Sequence, residues 1–345
     1  MGLADIFRRG VPKYRLFCAT VASFVFLIVS VLAAEDLGAS SPTYWSVPQV
    51  DALPYDAHSR LIRHGRDLIT ATYSHIGPDM PNRAQRFSGN NLACGNCHLD
   101  AGVKKFGLPI FGLSADFPAY SARAGAEITL QERINSCMTR SMNGRPLPAA
   151  SEPMRAIVAY ITFLSKGVAK GEKLSGLGAG TMPELDRAAD PARGRDIYQA
   201  RCIGCHNVNG AGVQNSFPGL GAGYAFPPLW GSDSFNDGAG MARLITAANF
   251  IHSNMPDGVD YLHPRLSPEE AWDVAALMIS KPRPQRAGVD KDFPDLLKKP
   301  IDAPYGPYAD GFSEEQHKYG PYGPIREKLK EIEKQRTEVK NPNVK

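Results

Sequence analysis

Two short strings constrain this chain more than anything else in it: Cys94-Gly95-Asn96-Cys97-His98 and Cys202-Ile203-Gly204-Cys205-His206. Each is C-x-x-C-H, the attachment signature of c-type haem. Two thiols add across the porphyrin vinyl groups, and the adjacent histidine becomes the proximal iron ligand. A zinc site would need Cys₄ or Cys₂His₂ spacing, and no second CxxC or HxxxH lies near either unit. A thioredoxin-like redox pair is the other rival, and two such units in one exported chain argue against it. The pair predicts two covalently bound haem c groups, attached through Cys94, Cys97, Cys202 and Cys205, with His98 and His206 on the irons.

The sequence repeats itself around these motifs. His64-Gly65-Arg66-Asp67-Leu68 precedes the first, and Arg193-Gly194-Arg195-Asp196-Ile197 precedes the second. Downstream, the stretches from Pro153 and from Ser267-Pro268 each open an apolar helical pattern, with Ser or Pro as the start signal. Helix, CxxCH, loop, helix is the order of a small cytochrome c domain. The reading is therefore all-α: two cytochrome c-like domains over 50–168 and 188–282. A Gly-rich linker at 169–187 joins them. After Pro282 the composition turns to proline and charge, with Tyr-Gly-Pro-Tyr at 305–308 and again at 319–322. Residues 283–345 read as an extended surface strap ending in a short polar helix near 325–339.

The N-terminus sets the compartment. Arg8, Arg9, Lys13 and Arg15 precede an apolar run from Leu16 to Leu32, followed by small residues up to Ala34. This is the pattern of a secretory signal peptide over 1–34, with an uncleaved membrane anchor as the alternative. Its removal lowers the formal charge from +4 to about +1, which argues against nucleic acid as the partner. Of six cysteines, Cys18 goes with the signal and four belong to the CxxCH units. Cys137 is left over in an oxidising periplasm, where thiols usually pair.

Each iron needs a sixth ligand or an open site. After the second motif the candidates are Met241, His252, Met255, His263 and Met278. Met255 is favoured because Ser-Asn-Met-Pro presents its thioether on stiff non-helical backbone. Met241 and Met278 read as core packing, and His252 is the rival. After the first motif no histidine occurs before Cys205, which leaves Cys137, Met138, Met142 and Met154. Cys137 sits in an expected helix from Ala126 to Asn143. On the residues alone, the thiol and the methionines stand level.

Over 50–282 the chain resembles the dihaem thiosulfate dehydrogenases, which join two thiosulfates into tetrathionate. The resemblance rests on the two CxxCH motifs, "INSCMTRSMNGRPLP" and "NMPDG". It implies His98 with Cys137 on the first iron, His206 with Met255 on the second, and Cys137 as the catalytic sulfur. It also implies an active-site arginine at Arg123. A soluble cytochrome c or another periplasmic redox protein is the expected acceptor.

The chemistry sets an electrostatic demand. A thiolate and a thiosulfate dianion at about 4 Å repel by roughly 8 kcal/mol at an effective dielectric near 20. Cations must cancel most of that. Arg133 lies four residues before Cys137 and Ser141 four after, so one helix face would carry all three; Arg140 could also reach. A guanidinium grips sulfonate oxygens through two parallel donors. Three other readings compete. A plain dihaem electron carrier leaves Cys137 without a role. A sulfur-transfer subunit like that of the Sox system also uses a haem-bound cysteine. A tetrathionate reductase would run the same reaction backwards.

Overall fold

The structure is a computed structural model that describes residues 45–215 and 223–340. The expected signal segment lies outside the described residues. The first half carries α1 (Ala57–Thr70), α2 (Thr72–Ile76), α3 (Leu99–Gly102), α4 (Leu130–Met138) and α5 (Glu152–Leu164). The second carries α6 (Pro191–Arg201), α7 (Ile203–His206), α8 (Leu244–Asn254) and α9 (Pro268–Ser280). Two further helices, α10 (Glu314–Tyr319) and α11 (Gly323–Lys340), belong to the C-terminal tail. Strand is confined to two antiparallel pairs, β1 (Ala119–Ser121) with β2 (Ala126–Ile128) and β3 (Val213–Gln214) with β4 (Tyr224–Phe226). The chain is mostly helical, as the sequence pattern implies.

The sequence repeat is a repeat of helix packing. α1 crosses α5 in the first half, and α6 crosses α9 in the second. The glycine of each Gly-Arg-Asp string sits at its crossing. A Cβ on Gly65 would lie 2.0 Å from the Ala156 carbonyl oxygen, and one on Gly194 would lie 1.9 Å from that of Asp273. Only glycine lets the backbones approach so closely. The helix starts follow local chemistry. Ser151 and Asp190 cap α5 and α6, while Ser267 forms a capping box with Glu270 at α9. Each such cap contributes about 1 kcal/mol. A tyrosine serves each half from a different helix: Tyr160 on α5 donates to the Ala101 carbonyl at 2.9 Å, and Tyr198 on α6 to that of Asn207 at 2.7 Å. Each ties a core helix to the segment after its CxxCH.

The helix around Cys137 is shorter than its pattern suggested. It begins at Leu130, where Thr129 and Glu132 form a capping box, and ends at Met138. Ala126–Ile128 pairs instead as β2 against Ala119–Ser121. Beyond Met138 the chain continues in turns that close with Gly144 donating to the Met138 carbonyl. Ser141 thus lies past the helix end, not on its face.

The tail is built into the molecule rather than laid over it. Asp292, Phe293, Lys299, Asp302, His317, Tyr322 and Ile325 are all buried. Tyr322 and Ile325 join the core of the second half. Phe293 donates its backbone N–H to the Arg123 carbonyl at 2.9 Å, and Ala189 donates to that of Tyr319. The polar terminal helix, Gly323–Lys340, is longer than expected and follows the buried Tyr322. No helix among the described residues is long and apolar enough to cross a membrane.

Candidate active site

Each half encloses an apolar cavity against its CxxCH motif. The first has Cys94, Cys97 and His98 in its wall, together with Cys137, Met138 and Met142. The second has Cys202, Cys205 and His206 in its wall, together with Met241, Met255 and Met278. Leu92, Cys97, Phe235 and Met241 line both cavities, so the two share a wall.

The two histidines are oriented alike. His98 Nδ1 donates to the Leu108 carbonyl at 2.5 Å, and His206 Nδ1 to the Pro227 carbonyl at 2.9 Å. A carbonyl only accepts, so Nδ1 carries the proton and Nε2 keeps its lone pair for a metal. Burial also lowers the His206 pKa, which favours the neutral ring. Paired thiols, a tethered imidazole and apolar walls suit haem c at each site. The residues fit the group.

The three sulfurs of the first cavity differ sharply. Burial pushes Cys94 up to about 11 and Cys97 to about 12. Burial acts on Cys137 in the same direction but is overcome. The charge and hydrogen bond of Arg133 oppose it and lower the Cys137 thiol below its ordinary range. Arg133 Nη1 donates to Cys137 Sγ at 2.9 Å, one helical turn away. Of the three thiols, Cys137 alone is shifted toward the thiolate, and it lines the same cavity as His98. Met138 and Met142 also line this cavity, but Met154 is buried outside it.

Arg133, Cys137 and Ser141 therefore meet at one cavity wall, although Ser141 arrives from a turn. Arg123 does not line that cavity. Its Nη1 donates to Asp292 Oδ2 at 3.0 Å, to the Gly238 carbonyl at 3.1 Å and to the Tyr305 hydroxyl at 3.3 Å. Arg140 likewise turns to Asp292, at 2.8 Å, and to the Gly238 carbonyl. Asp292 and Tyr305 come from the tail, and no spacing rule in the sequence points to them. In the second cavity Met255 follows α8 in extended backbone at φ −121°. His252 does not line the cavity. Met241 and Met278, taken from the sequence as core packing, both do.

A helical chain with two cavities of this donor set is a two-domain c-type cytochrome. Residues 84–169 match the family model of the SoxA/TsdA cytochrome c domain, and residues 191–280 match that of cytochrome c. The chain is 41% identical to the thiosulfate dehydrogenase of Allochromatium vinosum, over 80% of this chain and 97% of the relative. It is 36% identical to that of Thiomonas intermedia, over 81% of this chain and 86% of the relative. Among solved structures, the thiosulfate dehydrogenase TsdBA of Marichromatium purpuratum superposes with a TM-score of 0.64 at 31% identity. That match covers 76% of this chain and 54% of the longer TsdBA chain. The chain belongs to the thiosulfate dehydrogenase family, and is an oxidoreductase of that type.

Proposed function

We propose that the protein is a periplasmic enzyme that couples two thiosulfates into tetrathionate and passes two electrons to an external redox protein. Cys94 and Cys97 hold one haem covalently, Cys202 and Cys205 the other. His98 and Cys137 would hold the metal of the first group, and His206 and Met255 that of the second. When bound, haem supplies a one-electron acceptor in each cavity, and two together match a two-electron oxidation. Export is supported by the basic n-region and apolar run at the N-terminus.

The observation that carries this reading is the 2.9 Å contact between Arg133 and the Cys137 sulfur. It keeps the nucleophile ionised in an apolar cavity, where burial alone would protonate it. The Cys137 sulfur bonds to the terminal sulfur of one thiosulfate, and two electrons are given up. Charge balances: a thiolate and a dianion yield a singly charged Cys137–thiosulfate adduct. The terminal sulfur of a second thiosulfate attacks the adduct's sulfur next to Cys137 Sγ, the Sγ–S bond breaks, tetrathionate leaves, and the Cys137 thiolate takes the electron pair. Arg133 screens the approach of each dianion, and the Ser141 hydroxyl orients its sulfonate oxygens.

The test is stoichiometry. Purified holoprotein given thiosulfate and a one-electron acceptor should form one tetrathionate for every two electrons transferred. Acceptor reduction without tetrathionate would exclude the coupling and leave a plain electron carrier.

A further inference from the structure

Residues 104–108 join the proximal side of the first cavity to the distal side of the second. At one end the Leu108 carbonyl accepts from His98 Nδ1. Two residues back, the Phe106 carbonyl accepts from Asn254 Nδ2 at 2.9 Å. Asn254 immediately precedes Met255. The same loop reaches the chain beyond Met255 twice more. Lys104 Nζ donates to the Val259 carbonyl at 3.2 Å, and the Phe106 ring meets Tyr261 edge-on at 4.5 Å.

The backbone of this link is held, not relaxed. Phe106 and Leu108 stand at φ +57° and +52°, a left-handed conformation that bulky L-residues rarely adopt. The linker fixes them: Phe106 N–H donates to the Gly176 carbonyl at 2.7 Å, and Leu108 N–H to that of Gly178 at 3.0 Å. Asn254 is 1% exposed, and its Oδ1 has no hydrogen-bond partner. A buried amide with an orphaned oxygen is a poor way to fill space. What the amide does supply is its NH₂ group, shared between the Phe106 and Phe250 carbonyls.

We propose that Asn254 and the 104–108 loop are positioning elements that couple the proximal ligand of the first haem to the distal ligand of the second. A displacement of the Met255 loop pulls on the Phe106 carbonyl, and two residues on it alters the Leu108 carbonyl that orients His98. The hydrogen bond at Nδ1 sets how strongly the imidazole donates to a metal. A change of ligation at one site therefore changes the potential at the other without any change in charge. This rests on the assignment of His98 and Met255 as axial ligands.

The experiment uses holoprotein and follows the first haem by redox titration, read from its thiolate-ligated low-spin spectrum. Asn254→Leu removes the amide at similar volume and unchanged charge. It should shift the reduced-to-oxidised ratio of the first haem at fixed potential by threefold or more, and it should remove the shift of the first haem that Met255→Gly causes when the amide is present. Tyr261→Leu, which loosens the same loop from outside, should shift the first haem in the same direction and serves if Asn254→Leu fails to fold. An unchanged first haem in these variants would overturn the coupling. So would a Met255→Gly effect on the first haem that is equally large with and without Asn254→Leu, because the coupling would then bypass the amide. Met255→Gly by itself tests the ligand assignment: an unaltered second-haem spectrum there would be a separate failure.

Discussion

Arg133 and Cys137 lie one turn apart on α4, and the guanidinium donates to the sulfur at 2.9 Å. The helix makes this pair, since residues four apart share a face. Burial raises the thiol and Arg133 lowers it, and the lowering prevails.

Arg133→Ala should therefore do two things. Loss of a charge-assisted hydrogen bond, about 1.5–3 kcal/mol, should lower kcat/KM for thiosulfate roughly 10- to 100-fold. The acid limb of the pH profile should also move upward, because the group that favours the thiolate has gone. Steady-state kinetics across pH read both. A lower kcat/KM with an unmoved acid limb would leave Arg133 binding substrate without tuning the sulfur.

Asp292 joins Arg123 at 3.0 Å and Arg140 at 2.8 Å, and its side chain is 10% exposed. Asp292→Ala leaves two largely buried guanidinium groups facing each other. Breaking a buried pair from one side costs about 3 kcal/mol. Denaturant unfolding of the holoprotein should show a loss of that order.

Gly194→Ala tests the helix crossing. Alanine favours a helix by about 1 kcal/mol over glycine, but its Cβ would fall 1.9 Å from the Asp273 carbonyl oxygen. Overpacking costs about 1–3 kcal/mol. The variant should be less stable than the parent by thermal unfolding, whereas Gly204→Ala, with open space at its Cβ, should not be destabilised by contact.

Much of this architecture was legible in the sequence, because local rules write it there. The CxxCH strings and the Ser and Pro helix starts each act within a few residues. The helix around Cys137 was misplaced at its start because Ala126–Ile128 continues an apolar pattern. That segment pairs with a strand, and only the Thr129–Glu132 box marks the true beginning. The tail was not legible as packing. Its buried residues include Asp292, Lys299 and His317, which a sequence reading assigns to the surface. Their partners are remote: the Arg123–Asp292 bond spans 169 positions. Arg140 was placed beside the substrate by helical spacing, whereas Asp292 draws its guanidinium elsewhere.

The account stands on Cys137, and one variant addresses it most directly. Cys137→Gly should keep both haems attached through Cys94, Cys97, Cys202 and Cys205. It should lose the thiolate low-spin signature of the first haem and, together with it, tetrathionate formation. Cys137→Met sharpens the result, since it can keep a sulfur ligand while removing the nucleophile, and it should be equally inactive. Tetrathionate formation by Cys137→Gly at the parent rate would contradict covalent catalysis at this residue.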